Sequence, residues 1–207
     1  MKKLLLLLLF IPLFFSCGNN KKDVDLNAIN PLEIDIKKPD GWYSLDVDLS
    51  KQIENLNRAE FNKDQIDKII QNSQGNLPLF SYTKYDTDSL VGPTPTINVV
   101  LNKNPSSNFQ GFKDICENSM VQFQDMFDNF EMTSPIQEID IAGIKSVSCV
   151  ATYDLSFDGS IYKTRVWIYA VPLDGYSYQI NFIDFIELDD CSIIYNDVLK
   201  SIIIGKN

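Results

Sequence analysis

Histidine does not occur anywhere in the 207 residues. That absence removes much of the chemistry a small domain performs near neutral pH, because histidine is the usual general base and the commonest metal ligand. Ser-His-Asp and Cys-His triads are ruled out, as are zinc sites built on imidazole. A hydrolase working through a pair of carboxylates is the enzymatic class left. Among 28 Asp and Glu residues no spacing singles out such a pair, so the chain reads as non-enzymatic. Two groupings carry residue types suited to binding. Asp184, Glu187, Asp189 and Asp190 crowd where a strand passes into a helix. Carboxylates so placed suit Ca²⁺, a hard cation that takes about six to eight oxygens, and they equally suit the capping of a helix start. Arg165, Trp167 and Tyr169 alternate along a strand and share one face. They form an aromatic and cationic strip that serves as a binding surface if nothing covers it.

The remaining reactive residues are four cysteines, Cys17, Cys116, Cys149 and Cys191. Cys17 closes a segment with its own logic. Lys2 and Lys3 form a basic start, Leu4 to Phe15 is apolar except for Pro12, and a polar run follows from Gly18. This is the order of an export signal, and it is too short to span a bilayer, which takes about 20 apolar residues. The alternative is an ordinary secretory signal in which Cys17 is incidental. An exported chain meets an oxidising compartment. Cys116, Cys149 and Cys191 are therefore expected either as one disulfide with one free thiol or as three small buried apolar groups.

The formal net charge is −10, and it becomes more negative once the two signal lysines are removed. So acidic a body is repelled by nucleic acid and by anionic headgroups. Membrane attachment is therefore not assigned to the protein surface, and these residues point to no cofactor.

These residues need elements to position them. Gly18 to Lys38 reads as a polar tether with an end-to-end distance of roughly 25 Å, although Leu32 to Ile36 alternates as a strand would. Pro39-Asp40-Gly41 is a turn, and Trp42 to Val47 a short strand. Asn62 with Gln65 opens a helix that Gly75 should stop. Leu77 to Tyr85 and Thr96 to Asn102 are strands. Phe109 to Asn129 is the longest helix, opened by Ser107 and Gln110 as a capping box. Its stripe of Phe112, Ile115, Cys116, Met120, Phe123, Phe127 and Phe130 reads as core in preference to a partner groove. A meander follows over Ile136 to Ile141, Ile144 to Phe157, Ser160 to Pro172 and Tyr176 to Ile186. Its turns are at Ala142-Gly143, Asp158-Gly159 and Asp174-Gly175. Asp189 caps a closing helix that runs to about Lys200.

Register decides what the meander can do. A two-residue turn at Asp158-Gly159 pairs Ala151 with Val166 and puts the apolar sets of both strands on one face. A two-residue turn at Asp174-Gly175 pairs Arg165 with Asp184, Trp167 with Phe182, Tyr169 with Ile180 and Val171 with Tyr178. The opposite face is then apolar as well, and the sheet needs helices on both sides. A three-residue loop from Leu173 to Gly175 would instead leave Trp167 and Tyr169 exposed. The first register is preferred, because three helices are available to cover two faces.

Two resemblances add to this reading. Leu13-Phe14-Phe15-Ser16-Cys17 resembles the lipobox of bacterial lipoproteins, with Phe14 standing where Leu, Val or Ile is usual. It implies a signal peptide over residues 1–16, cleavage before Cys17 and at least two acyl chains there, enough for a stable anchor. The domain would then sit on the periplasmic or extracellular side of a bacterial membrane. From about residue 37 to 205 the order of elements is similar to the Mog1/PsbP-like domains. The carrying residues are Lys38-Pro39-Asp40-Gly41-Trp42, Ile141-Ala142-Gly143-Ile144, Tyr178-Gln179-Ile180-Asn181-Phe182 and Val198-Leu199-Lys200-Ser201-Ile202. The resemblance implies an α+β fold, an antiparallel sheet with helices on both faces (an α/β/α sandwich), and a non-enzymatic docking module. The expectation is a single domain over 38–207, tethered by 17–37 and docking an envelope protein. The alternative is a small-molecule or Ca²⁺-binding lipoprotein.

Overall fold

The computed structural model describes residues 25–45, 62–72, 75–86, 88 and 92–205. The signal segment, Cys17 and the first part of the tether lie outside the described residues, as does residue 47, where the short strand from Trp42 was expected to end. A 3₁₀ turn at Leu26–Ala28 is followed by β1 (Ile34–Asp35) and β2 (Tyr43–Ser44). Then come α1 (Lys63–Asn72), β3 (Asn76–Thr83), β4 (Thr96–Lys103) and α2 (Phe109–Met126). The meander is β5 (Asp128–Ile141), β6 (Ile144–Phe157), β7 (Ser160–Pro172) and β8 (Tyr176–Phe185). The described chain closes on α3 (Ser192–Lys200) and β9 (Ile203–Ile204).

Seven strands form one antiparallel sheet in the order β2-β3-β4-β8-β7-β6-β5, and β1 pairs with β9 beside it. The β7–β8 register has Arg165 opposite Asp184, Trp167 opposite Phe182, Tyr169 opposite Ile180 and Val171 opposite Tyr178. Asp174-Gly175 is therefore a two-residue turn. It is closed by the Leu173 N–H donating to the Tyr176 carbonyl at 2.8 Å, with Gly175 at φ +72°.

Both faces are apolar over much of their area. The first packs Leu77, Ile97, Val99, Leu101, Ile180 and Phe182 against Ile66 and Ile70 of α1 and Tyr195 and Val198 of α3. The second packs Cys149, Ala151, Val166 and Ile168 against Met120 and Phe123 of α2. The result is the α/β/α sandwich expected from the sequence.

Several boundaries differ from the sequence reading. The tether does not extend to residue 37, because Leu32, Ile34 and Ile36 are buried and β1 is held by β9. The alternating pattern there outweighs its polar surroundings. α2 ends at Met126, not Asn129, and β5 starts at once at Asp128, with Asn129 at φ +52° breaking the helical path. Phe130 thus lies on a strand. It still meets Phe123, with ring centroids 6.4 Å apart. The cap of α2 is Asn108, whose Oδ1 accepts from Gly111 N–H at 2.9 Å, and not Ser107. The Asn62–Gln65 box at α1 forms as read, with each side chain accepting from the other's backbone N–H at 3.0 Å.

Phe182 is fully buried between Tyr195, at 5.0 Å, and Tyr169, at 5.4 Å. Phe182→Ala is expected to lower stability by about 3–5 kcal/mol in urea unfolding. Val121→Ala on the exposed side of α2 is expected to stay within about 0.5 kcal/mol.

Candidate functional site

The residues singled out from the sequence meet at one end of the sheet. Arg165 on β7 grips Asp184 on β8 through two bonds, Nε to Oδ1 at 3.1 Å and Nη2 to Oδ2 at 2.8 Å. It also donates to Asp190 Oδ1 at 2.7 Å. Asp184 is fully buried, and its Oδ2 also accepts from Cys191 N–H at 2.8 Å, tying the sheet to the start of α3. The Arg165 guanidinium lies 4.2 Å from the centre of the Trp167 ring. Trp167 in turn meets Tyr195 edge-on at 5.2 Å. The Arg165, Trp167 and Tyr169 strip is thus half-buried beneath α3 and is not an open binding surface. The two-residue turn forced this, since it aims all three at the first face.

The acidic grouping is equally occupied. Asp189 pairs with Lys84 and accepts from the Tyr85 hydroxyl at 2.6 Å. Asp190 pairs with Arg165 and accepts from Ser192 N–H at 2.9 Å. Asp189 therefore does not cap α3 as read from the sequence; the cap position is Cys191, whose side chain makes no cap bond, and Asp190 closes a turn onto the first helical N–H. Glu187 is exposed. Among the described residues no three or more Cys, Asp or Glu side chains converge on one point, so these four carboxylates do not make the calcium cradle considered above. Asp184 with Arg165 acts as a lock, because removing one partner of a buried ion pair strands the other at a cost of about 3–5 kcal/mol.

The surface that sequence reasoning missed is on the other side. Across the second face, residues opposite one another run in rows: Ser81, Asn98, Asn181, then Ile168; and Pro78, Val100, Gln179, then Ala170. A third row places Asn102 beside Ser177. Over β3, β4 and β8 the rows are uncharged and hold Ser81, Asn98, Asn102, Gln179 and Asn181 with Pro78 and Val100 between them, and they become apolar over β7 and β6, where α2 packs. Ser81 Oγ donates to Asn98 Oδ1 at 2.7 Å. Gln179 Nε2 donates to Asn181 Oδ1 at 3.2 Å, and Asn102 Nδ2 reaches Gln179 Oε1 at 3.5 Å. Asn102 Oδ1 is buried and has no hydrogen-bond partner. Where the rows meet α2, Gln179, Ile168, Cys149, Met120, Phe123 and Ile136 line a cavity of about 210 Å³. Beside it α2 leaves Val121 and Met126 well exposed. The signal was present in the alternation of β4, where Asn98, Val100 and Asn102 oppose the core set. A polar alternate face on an edge strand would mean only solvation; here β4 and β8 are interior strands.

All three cysteines beyond Cys17 are unpaired, Cys149 and Cys191 buried and Cys116 half-buried. That supports the reading as small apolar groups. No described helix is long and apolar enough to cross a membrane.

No protein-family model and no curated protein matches the chain. Among solved structures it is similar to LpqN of Mycobacterium tuberculosis, described as involved in cell envelope biogenesis. The identity is 14% over 84% of this chain and 83% of that one, with a TM-score of 0.52. It is also matched to the cyanobacterial PsbP, CyanoP, of Synechocystis sp. PCC 6803, at 12% identity over 84% and 87%, with a TM-score of 0.46. At these identities the likeness is one of fold, and the LpqN match agrees with the mixed α+β sandwich.

The acid lock should be visible in the pH dependence of stability. Burial pushes the Asp189 carboxyl up, but the bonds from Lys84 and Tyr85 outweigh it and hold it below the usual carboxylate range. The Ser192 N–H and hydroxyl, then Arg165, hold Asp190 down as well. Groups lowered on folding stabilise fully above the unfolded value of about 3.9, and that contribution is lost as pH falls through the folded value. The urea midpoint is expected to be flat from about pH 6 to about pH 4 on account of these groups and to fall below that. Asp189→Asn should fall less steeply.

Proposed function

We propose that the protein is a lipoprotein of a bacterial cell envelope, anchored by acyl chains on Cys17, whose domain binds an envelope protein without performing catalysis. The observation that supports this best is the divided second face of the sheet. Two interior strands carry neutral amides there, one amide oxygen is buried without a partner, and an apolar cavity adjoins them. A buried acceptor left unpaired costs about 1–3 kcal/mol, and a donor from a partner would supply the missing bond. Amides donate and accept alike, which suits the backbone and amide side chains of another polypeptide. Met126 adds exposed apolar contact at the rim. The absence of histidine and the pairing of Asp184, Asp189 and Asp190 with cations support a non-catalytic reading. An envelope location agrees with the lipobox-like stretch and with the description of the mycobacterial neighbour.

A photo-crosslinking residue at position 100, between Asn98 and Asn102, is expected to capture one reproducible protein from intact envelopes. Asn102→Leu should remove that adduct. The same probe at position 193, on the exposed side of α3, should not give it. Cys17→Ala should move the protein from the membrane fraction to the soluble one. No adduct from position 100, or the same adducts from both positions, would contradict the docking reading. Membrane retention of Cys17→Ala at high salt would contradict the anchor.

A further inference from the structure

The sulfur atoms of the chain are not spread through its core. Apart from Met1, the methionines are Met120, Met126 and Met132. Met120 and Met126 line the cavity under α2 together with Cys116 and Cys149, and Met132 packs against the same cluster. The larger core on the first face, by contrast, holds Cys191 as its one sulfur residue among the buried groups. Methionine and cysteine serve well as adaptable filler, but filler alone gives no reason to gather them at the smaller of two cores.

Three of these sulfur residues, Cys116, Met120 and Cys149, line one cavity from two facing elements. Cys116 and Met120 are four residues apart on α2 and so stand on one face of the helix. Cys149 rises from β6 beneath them, its Sγ 3.6 Å from Met120 Sδ. Three sulfurs each about 2.3 Å from one ion in a plane lie about 4.0 Å apart, so the Cys149–Met120 contact widens slightly to admit an ion. The Cys116 thiol lines the same cavity and is near enough to act electrostatically on Cys149. Glu117 is the one charged group acting on Cys116, and no imidazole exists in the chain to complete a harder site. Two thiolates and a thioether are soft ligands, which select monovalent copper over zinc or calcium.

We propose that Cys116, Met120 and Cys149 bind one Cu(I) ion in the cavity between α2 and the sheet. On binding, the two thiols release their protons to solvent and two copper–sulfur bonds form. The thioether adds a third, neutral ligand. Copper stays monovalent and no electron moves. The site uses the sulfur groups of the cavity that Gln179 of the amide rows also lines, and it does not depend on a protein partner.

The test uses the full chain purified from membranes in detergent, reduced and kept without oxygen, and titrated with Cu(I) held by bicinchoninate. The wild-type protein is expected to withdraw one copper per chain from the chelator and to release about two protons. Met120→Leu keeps the volume and should leave the fold intact, yet weaken copper binding by about tenfold or more. Cys116→Ser and Cys149→Ala should abolish it, and Cys191→Ala should leave it unchanged. The proposal is overturned if the wild-type protein takes no copper from the chelator, or if the three ligand variants bind as it does. It is equally overturned if peptide mapping of the protein taken directly from membranes finds Cys116 joined to Cys149.

Discussion

The pairing of β7 with β8 is the constraint on which the rest depends. A sheet has a side-chain period of two, so a slip of one residue at a hairpin sends every side chain of a strand to the other face. The turn at Asp174-Gly175 forbids that slip. It sets Arg165 against a buried Asp184, and Trp167 against Phe182. Tyr195 of α3 then seats on both rings. The same pairing obliges Asn181 and Gln179 to stand on the opposite face, beside Ile168 and Ala170. One turn thereby closes the first face under two helices and divides the second between an apolar half and an amide half.

That division separates the main core from the proposed docking face. The large aromatic and aliphatic core lies on the first face, and the charged groups at its edge lock α3 in place. The second core is smaller and covered by a single helix with exposed apolar residues on its far side. A thin layer of this kind holds both the amide rows and the sulfur-lined cavity. Neither costs the main core anything, because both lie across the sheet from it.

Much of this was legible in the residues. Asp-Gly and Ala-Gly dipeptides between alternating runs marked the hairpins, and consistency of the apolar sets chose their register. Where the reading went astray, the physical reason is local. Leu32, Ile34 and Ile36 sit in a polar stretch and looked like tether, yet all three are buried, and Ile34 and Asp35 pair with Ile204 and Ile203, a strand too short to announce itself. Phe130 continued the helical spacing of α2 so well that the left-handed turn at Asn129 was masked. The acidic grouping suggested a cation because sequence shows which charges are near in the chain and not which counter-charges arrive from elsewhere: Lys84 comes from the end of β3, far away in sequence. The amide rows were hidden for a related cause. Asn98 and Asn102 on β4, with Gln179 and Asn181 on β8, become one surface only when strand order is known.

The most direct test of the account is the β7–β8 register itself, read by nuclear magnetic resonance from cross-strand contacts between backbone protons. The account predicts contacts that pair Trp167 with Phe182 and Arg165 with Asp184. Contacts pairing Trp167 with Asn181 would mean a three-residue turn, an exposed aromatic strip and a second face without its amide rows, and the account would fail.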